Sequence, residues 1–202
     1  MIKTVIFDLG KVIIPFDFMR GYQGLEGICG LPVAEIRRRI ASTDLVQRFE
    51  TGLVEPEDFV AQLSCLLDLH ISYDQFCRIW SSIFLPDPLI PESLLAGLSR
   101  RYRLLLLSNT NAIHFEMLER TYPLLRHFHD KILSHRVRAM KPSPAIYREA
   151  IARAGCLPEE IFFTDDIAEY VAGAKREGID AVQFESREQV ERELRARGVE
   201  WS

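Results

Sequence analysis

The chain has 202 residues, of which 48% are hydrophobic and 27% charged, with a net charge of −4. These values describe an ordinary globular protein and remove the electrostatic case for nucleic acid as a partner. No apolar run approaches membrane-spanning length. Met1 leads straight into an apolar strand without a leader signal, and Cys29, Cys65, Cys77 and Cys156 form no Cys-x-x-Cys pair. Free thiols, a cytoplasmic setting and no membrane partner are therefore expected.

The first element is an unalternated apolar run over residues 2–7, ending in Asp8-Leu9-Gly10. Such a run reads as a strand buried on both faces of a parallel sheet. Val12-Ile13-Ile14 follows closely and is expected to form a short hairpin arm or flap, ended by Pro15. From about residue 20 the pattern turns helical. Val33, Ile36 and Ile40 share one helical face, and Leu45, Val46 and Phe49 mark a short helix stopped by Gly52. Pro56 opens a third helix among Glu55, Glu57 and Asp58. Ser72 and Gln75 have the spacing of a capping box for a fourth. Pro86, Pro88 and Pro91 then break the pattern.

Beyond the break, strands and helices alternate. Leu94–Leu98 is helical, 102–107 is an apolar strand ending at Ser108-Asn109-Thr110-Asn111, and Ile113–Arg120 is helical. Lys131–Ser134 reads as a strand, Ser143-Pro144 caps and starts a helix to about Ala154, and Ile161-Phe162-Phe163 runs into Thr164-Asp165-Asp166. A helix to Lys175, a strand over Ala181–Phe184 and an amphipathic helix over Glu188–Arg197 complete the chain. The alternation predicts an α/β fold: a doubly wound, Rossmann-like parallel sheet with right-handed crossovers. Its core takes residues 1–14 and 86–202, and residues 15–85 form an inserted helical cap.

A parallel sheet brings the ends of its strands to one edge, where ligands bind. Asp8, Ser108-Asn109 and Asp165-Asp166 lie at such ends, and Lys141-Pro142 precedes another helix. Hard carboxylate oxygens suit Mg²⁺. A hydroxyl and amides at a helix start suit phosphate oxygens, and Lys141 adds a compact positive charge. Each residue taken alone has a commonplace explanation as a cap, a turn or a solvated side chain. The set in this order does not.

Phe7-Asp8-Leu9-Gly10, Leu107-Ser108-Asn109-Thr110-Asn111, Lys141-Pro142 and Phe163-Thr164-Asp165-Asp166 resemble the four ordered motifs of the haloacid dehalogenase superfamily. The helical insertion, with Phe49-Glu50-Thr51-Gly52 and Phe59, resembles that superfamily's cap of the first type. The closest likeness is to bacterial sugar-phosphate phosphatases, including those acting on glucose 1-phosphate. The resemblance implies a Mg²⁺-dependent hydrolase that removes phosphate from a small phosphorylated metabolite. Asp8 would be the nucleophile, and Asp8, the Gly10 carbonyl and Asp166 would hold the metal, with Asp165 close by. Ser108, Asn109 and Lys141 would hold the phosphoryl group, with Lys141 also counted as catalytic.

Two positions depart from the pattern. Gly10 stands where the phosphatases usually carry a second aspartate, the general acid and base, whose loss typically costs about 10²–10⁴ in rate. Tyr170 stands where the fourth motif often has asparagine. Without the acid, esters with good leaving groups, such as anomeric sugar phosphates or aryl phosphates, are the expected substrates. Asp17 is the nearest substitute carboxylate. Two alternatives stay open: a 2-haloacid dehalogenase, and a weakly catalytic member that binds a phosphorylated ligand or a partner.

Overall fold

The computed structural model describes residues 1–201. Five strands form one parallel sheet in the order β3-β2-β1-β4-β5: β1 Thr4–Phe7, β2 Arg103–Ser108, β3 Asp130–Leu133, β4 Ile161–Asp165 and β5 Asp180–Gln183. The central strand β1 pairs with β2 and β4, and all four of its residues are buried. The apolar residues of the three central strands do not alternate with polar ones, yet successive residues serve opposite faces. Val5, Phe7, Leu104, Leu106 and Phe162 pack into one apolar cluster, and Ile6, Leu105, Leu107, Ile161 and Phe163 into the other.

Helices cover both faces. Leu94, Leu95 and Leu98 of α6 (Glu92–Ser99), Phe115 and Leu118 of α7 (Ala112–Thr121), and Val190 and Leu194 of α11 (Arg187–Ala196) close the first face. Ile146, Tyr147 and Ala150 of α9 (Pro144–Ala154) and Val171 and Ala174 of α10 (Ala168–Arg176) close the second. The short α8 (Ser134–Val137) follows β3 directly. It falls where the sequence reading had extended the strand through Ser134.

Five helices lie between β1 and α6: α1 Phe18–Cys29, α2 Val33–Ala41, α3 Leu45–Glu50, α4 Pro56–Leu67 and α5 Tyr73–Ser81. They share a separate apolar cluster around Phe49, Phe59 and Phe76, joined from the sheet side by Ile113. The capping box at Ser72 is present in both directions, Gln75 N–H to Ser72 Oγ and Ser72 N–H to Gln75 Oε1. The chain enters and leaves this helical segment side by side. Asp17 N–H donates to the Ile83 carbonyl at 2.8 Å and Leu85 N–H to the Pro15 carbonyl at 2.9 Å.

The expected hairpin arm at Val12-Ile13-Ile14 does not form. All three side chains are buried in the first cluster. The backbone instead folds back on itself, with the Leu9 carbonyl accepting from both Ile13 and Ile14 N–H and Lys11 N–H reaching the Ile14 carbonyl. Lys11 makes the turn at φ 57°. Burial of three β-branched side chains outweighs their preference for an extended flap.

Candidate active site

Strand register places the polar residues. Phe7 lies opposite Thr164 of β4 and Leu106 of β2, so Asp8 is level with Asp165, and Ser108 stands one residue beyond. Asp8 N–H continues the ladder to the Thr164 carbonyl at 3.0 Å. Asp8, Ser108 and Lys141 are buried, and Asp165 is completely so.

Lys141 Nζ makes three short contacts: Asp8 Oδ1 at 2.6 Å, Asp165 Oδ2 at 2.6 Å and the Leu107 carbonyl at 3.0 Å. An ammonium has three donors, and all three are engaged. Burial works to lower its pKa, but the two carboxylates outweigh burial and hold Lys141 above its usual value, so it stays charged. Burial pushes Asp8 up to about 7. Lys141 opposes that shift and the neighbouring Asp165 charge adds to it. Burial and Asp165 also raise Asp166, while Lys11 and Lys141 oppose them.

One carboxylate oxygen from each of Asp8, Asp165 and Asp166 lies within 4.8 Å of the others. Three carboxylates meet with only Lys141 bonded among them and Lys11 acting on Asp166 without a bond, a surplus of negative charge that suits a hard divalent cation. The three are not equivalent. Asp165 has both oxygens occupied, one by Lys141 and one by Ile167 N–H at 2.9 Å. Half-buried Asp166 has no ion pair or hydrogen bond between its carboxylate and another residue among the described residues. The Gly10 carbonyl accepts no hydrogen bond among the described residues.

Asn109 has a job its sequence position did not reveal. Its side-chain oxygen accepts from Lys141 N–H at 2.8 Å and its amide donates to the Lys141 carbonyl at 3.0 Å. It therefore clamps the backbone that carries the ammonium, and makes a long contact to the Tyr170 hydroxyl at 3.4 Å. Tyr170 also lies under Lys141, with Nζ 5.2 Å from its ring centre. The residue in the asparagine position is thus part of the lysine's support. Among the described residues the Ser108 hydroxyl has only a 3.4 Å contact to its neighbour's carbonyl. The helix after this loop is capped by Asn111, which accepts from His114 N–H at 3.0 Å, and not by Ser108 or Asn109.

At Gly10, a Cβ would stand 2.7 Å from the Phe16 ring. The aromatic ring takes the space next to the position where an aspartate side chain would start. Asp17, the substitute acid considered from the sequence, is the exposed N-cap of α1 and accepts from Met19 N–H at 2.9 Å.

The helical segment reaches the site through α3. Ser134 Oγ donates to the Glu50 carbonyl at 2.6 Å and accepts from Thr110 N–H at 2.9 Å. Gly52, at φ 66°, sits so close to the His135 carbonyl that a Cβ would lie 2.0 Å from it. Only glycine allows that approach. His114 Nε2 contacts the Trp80 carbonyl at 3.0 Å, a second tie. Burial lowers His114 to about 4, so it is neutral. Glu50, His114 and Phe16 had no site role in the sequence reading, and Trp80 was read as cap packing ahead of sugar stacking. The only trace of Glu50 was its place in Phe49-Glu50-Thr51-Gly52.

The chain matches the haloacid dehalogenase-like hydrolases over residues 2–178. It belongs to that family. A D-ribitol-5-phosphate phosphatase of Bacteroides thetaiotaomicron is 28% identical over 193 residues, covering 92% of this chain and 93% of the relative. A phosphatase of Mycobacterium tuberculosis is 28% identical over 190 residues, covering 89% and 86%. Among solved structures, a HAD family enzyme of Bacteroides thetaiotaomicron in complex with magnesium and inorganic phosphate superposes with a TM-score of 0.84 at 27% identity. That match covers 93% of this chain and 96% of that one.

Proposed function

We propose that this haloacid dehalogenase-like hydrolase is a Mg²⁺-dependent phosphatase of a small phosphate monoester, a sugar or polyol phosphate, working through an aspartyl-phosphate on Asp8. The observation that carries this reading is the buried Asp8 carboxylate. It is held against the Lys141 ammonium at 2.6 Å, beside two further carboxylates, at the ligand-binding edge of a parallel sheet. Two relatives bear phosphatase names, and a solved neighbour holds magnesium and phosphate.

Asp8 and Asp166, with the Gly10 carbonyl, are the groups to hold Mg²⁺, because the Asp165 oxygens are already occupied. The bound cation would offset the repulsion between substrate phosphate and the carboxylates and stabilise charge on the phosphoryl oxygens. Asp8 forms a bond to phosphorus as the ester oxygen leaves. Water then attacks phosphorus, the bond to Asp8 breaks, and the carboxylate is restored. Lys141 orients Asp8 and lowers the negative charge the phosphate meets. The Ser108 hydroxyl and the Asn109 main chain are the groups left to receive phosphoryl oxygens, since the Asn109 amide is engaged by Lys141. Among the described residues no helix is long and apolar enough to cross a membrane.

The test is a phosphate-release screen over sugar, polyol and aryl phosphates, with and without Mg²⁺, on wild type and Asp8→Asn. Mg²⁺-dependent release lost in the variant is expected. Halide release from a 2-haloacid without Mg²⁺, and no phosphate release, would replace this reading by the dehalogenase one.

A further inference from the structure

Between α1, the end of α2, α3, α5 and α7 lies a cavity of about 320 Å³. That is the small end of the range of small-molecule sites, about 300–1,000 Å³, and suits a leaving group of a few carbons. Phe18, Tyr22, Trp80 and Ile83 make much of its wall apolar. Two polar groups of residues in that wall lack partners. The indole Nε1 of Trp80 is buried and donates to nothing among the described residues. The Glu50 side chain, half-buried in the same wall, makes no hydrogen bond or ion pair among the described residues, and burial shifts its carboxyl up to about 7. Buried polar groups are normally satisfied, and an unmet one costs stability until a ligand supplies the bond.

Glu50 is also tied to the phosphate site through its main chain. Burial chiefly raises the Tyr170 hydroxyl, and the Glu50 charge adds a small part; that hydroxyl contacts the Asn109 amide that clamps Lys141. Its main chain is fixed by Ser134, which also holds Thr110 of the motif loop. Glu50 thus stands at the junction of the cavity and the catalytic residues. The chemistry of the two unmet groups selects the ligand. An ammonium would satisfy a carboxylate but leave the indole N–H without an acceptor. A hydroxyl both donates and accepts, and answers both.

We propose that Glu50 is a specificity-determining residue that hydrogen-bonds a hydroxyl of the substrate's leaving group, whose carbon chain occupies the cavity with the Trp80 N–H as a second contact. The proposal rests on the phosphatase reading and narrows its substrates to neutral polyhydroxy esters.

The experiment compares pentitol and sugar phosphates with para-nitrophenyl phosphate, using the full chain with Mg²⁺, in wild type, Glu50→Gln and Trp80→Phe. Thermal unfolding checks that each variant is folded. For Glu50→Gln, kcat/KM for the best polyhydroxy ester relative to the aryl ester should fall about tenfold or more, mainly through KM, as loss of one such hydrogen bond predicts. Trp80→Phe should move the ratio the same way by less. An equal fall for both esters overturns the proposal. So does a fall in kcat that grows with leaving-group basicity at fixed KM, which would make Glu50 a proton donor. If the wild type hydrolyses no phosphate ester, the phosphatase reading fails separately. Calorimetric titration with the free pentitol then decides, since binding must be weaker in Glu50→Gln, and equal or absent binding in wild type rejects the cavity assignment.

Discussion

Lys141 is held by both its ends: its ammonium between Asp8, Asp165 and the Leu107 carbonyl, its backbone by Asn109. Removing it leaves two buried carboxylates facing each other, so Lys141→Ala should cost about 3–5 kcal/mol of stability. It should also remove essentially all turnover. Added Mg²⁺ should recover part of the stability and little of the rate, as urea midpoints and phosphate release will show. Gly10 leads to a different expectation. An aspartate there must displace the Phe16 ring, because even its Cβ would lie 2.7 Å away. Gly10→Asp should therefore lower stability by about 1–3 kcal/mol. With no acid at Gly10, wild-type rates should fall steeply as leaving groups become more basic, and a flat series at the phosphoryl-transfer step would show that another group supplies the proton. Glu50 gives a pH signature. Its carboxyl moves from an ordinary 4.5 to about 7 on folding, from burial, so the folded state holds the proton more tightly. The stability linked to it is fully present below about 4.5 and lost as pH rises through about 7. His114, lowered to about 4 from 6.5, acts with the opposite sign over much of that window. The difference between variants is therefore the clean measurement. Glu50→Gln should gain on the order of 2 kcal/mol on wild type at pH 8 relative to pH 5, and a pH-independent difference would show that Glu50 is solvated.

At the scale of elements, periodicity and caps were legible wherever local chemistry decides. The Ser72–Gln75 box, Pro56 at a helix start and the Ser143 cap all appear as read. Tertiary burial is what the sequence could not show. Val12-Ile13-Ile14 looks like a strand and is a buried turn. α1 contains Gly21, Gly24 and Gly27 and carries no strong helical signal. Gly21 and Gly24 lie where a Cβ would press on Ile83 and Ile79, which makes them contact surfaces toward α5 and the residues after it. The site residues were legible as strand ends, whereas the Asn109 clamp and the Glu50 junction depend on partners more than 30 residues away, and the Phe16 ring reaches Gly10 only because the turn between them folds back. Gly52 is where α3 meets α8. Gly52→Ala adds a Cβ at 2.0 Å from the His135 carbonyl, on a backbone with φ 66°. It should cost roughly 2–4 kcal/mol by strain and clash together and raise KM, because the Glu50 carbonyl and its Ser134 bond shift with it. An unchanged urea midpoint and unchanged KM would show that the contact between the helical segment and the sheet is slack.

On the scale of the whole molecule, a chain of net charge −4 concentrates carboxylates at the one place where an anionic substrate must bind. That arrangement is coherent only if a cation joins it, so Mg²⁺ should raise the melting temperature of wild type and should do so much less for Asp166→Ala. The central claim is that phosphorus becomes bonded to Asp8. The direct measurement is peptide mass analysis of enzyme quenched in acid during turnover of its best phosphate ester. The account predicts the mass of one phosphoryl group on the peptide carrying Asp8, absent without Mg²⁺ and absent in Asp8→Asn. Sustained phosphate release from wild type, with that peptide unmodified at every quench time and the label on another residue, would contradict it.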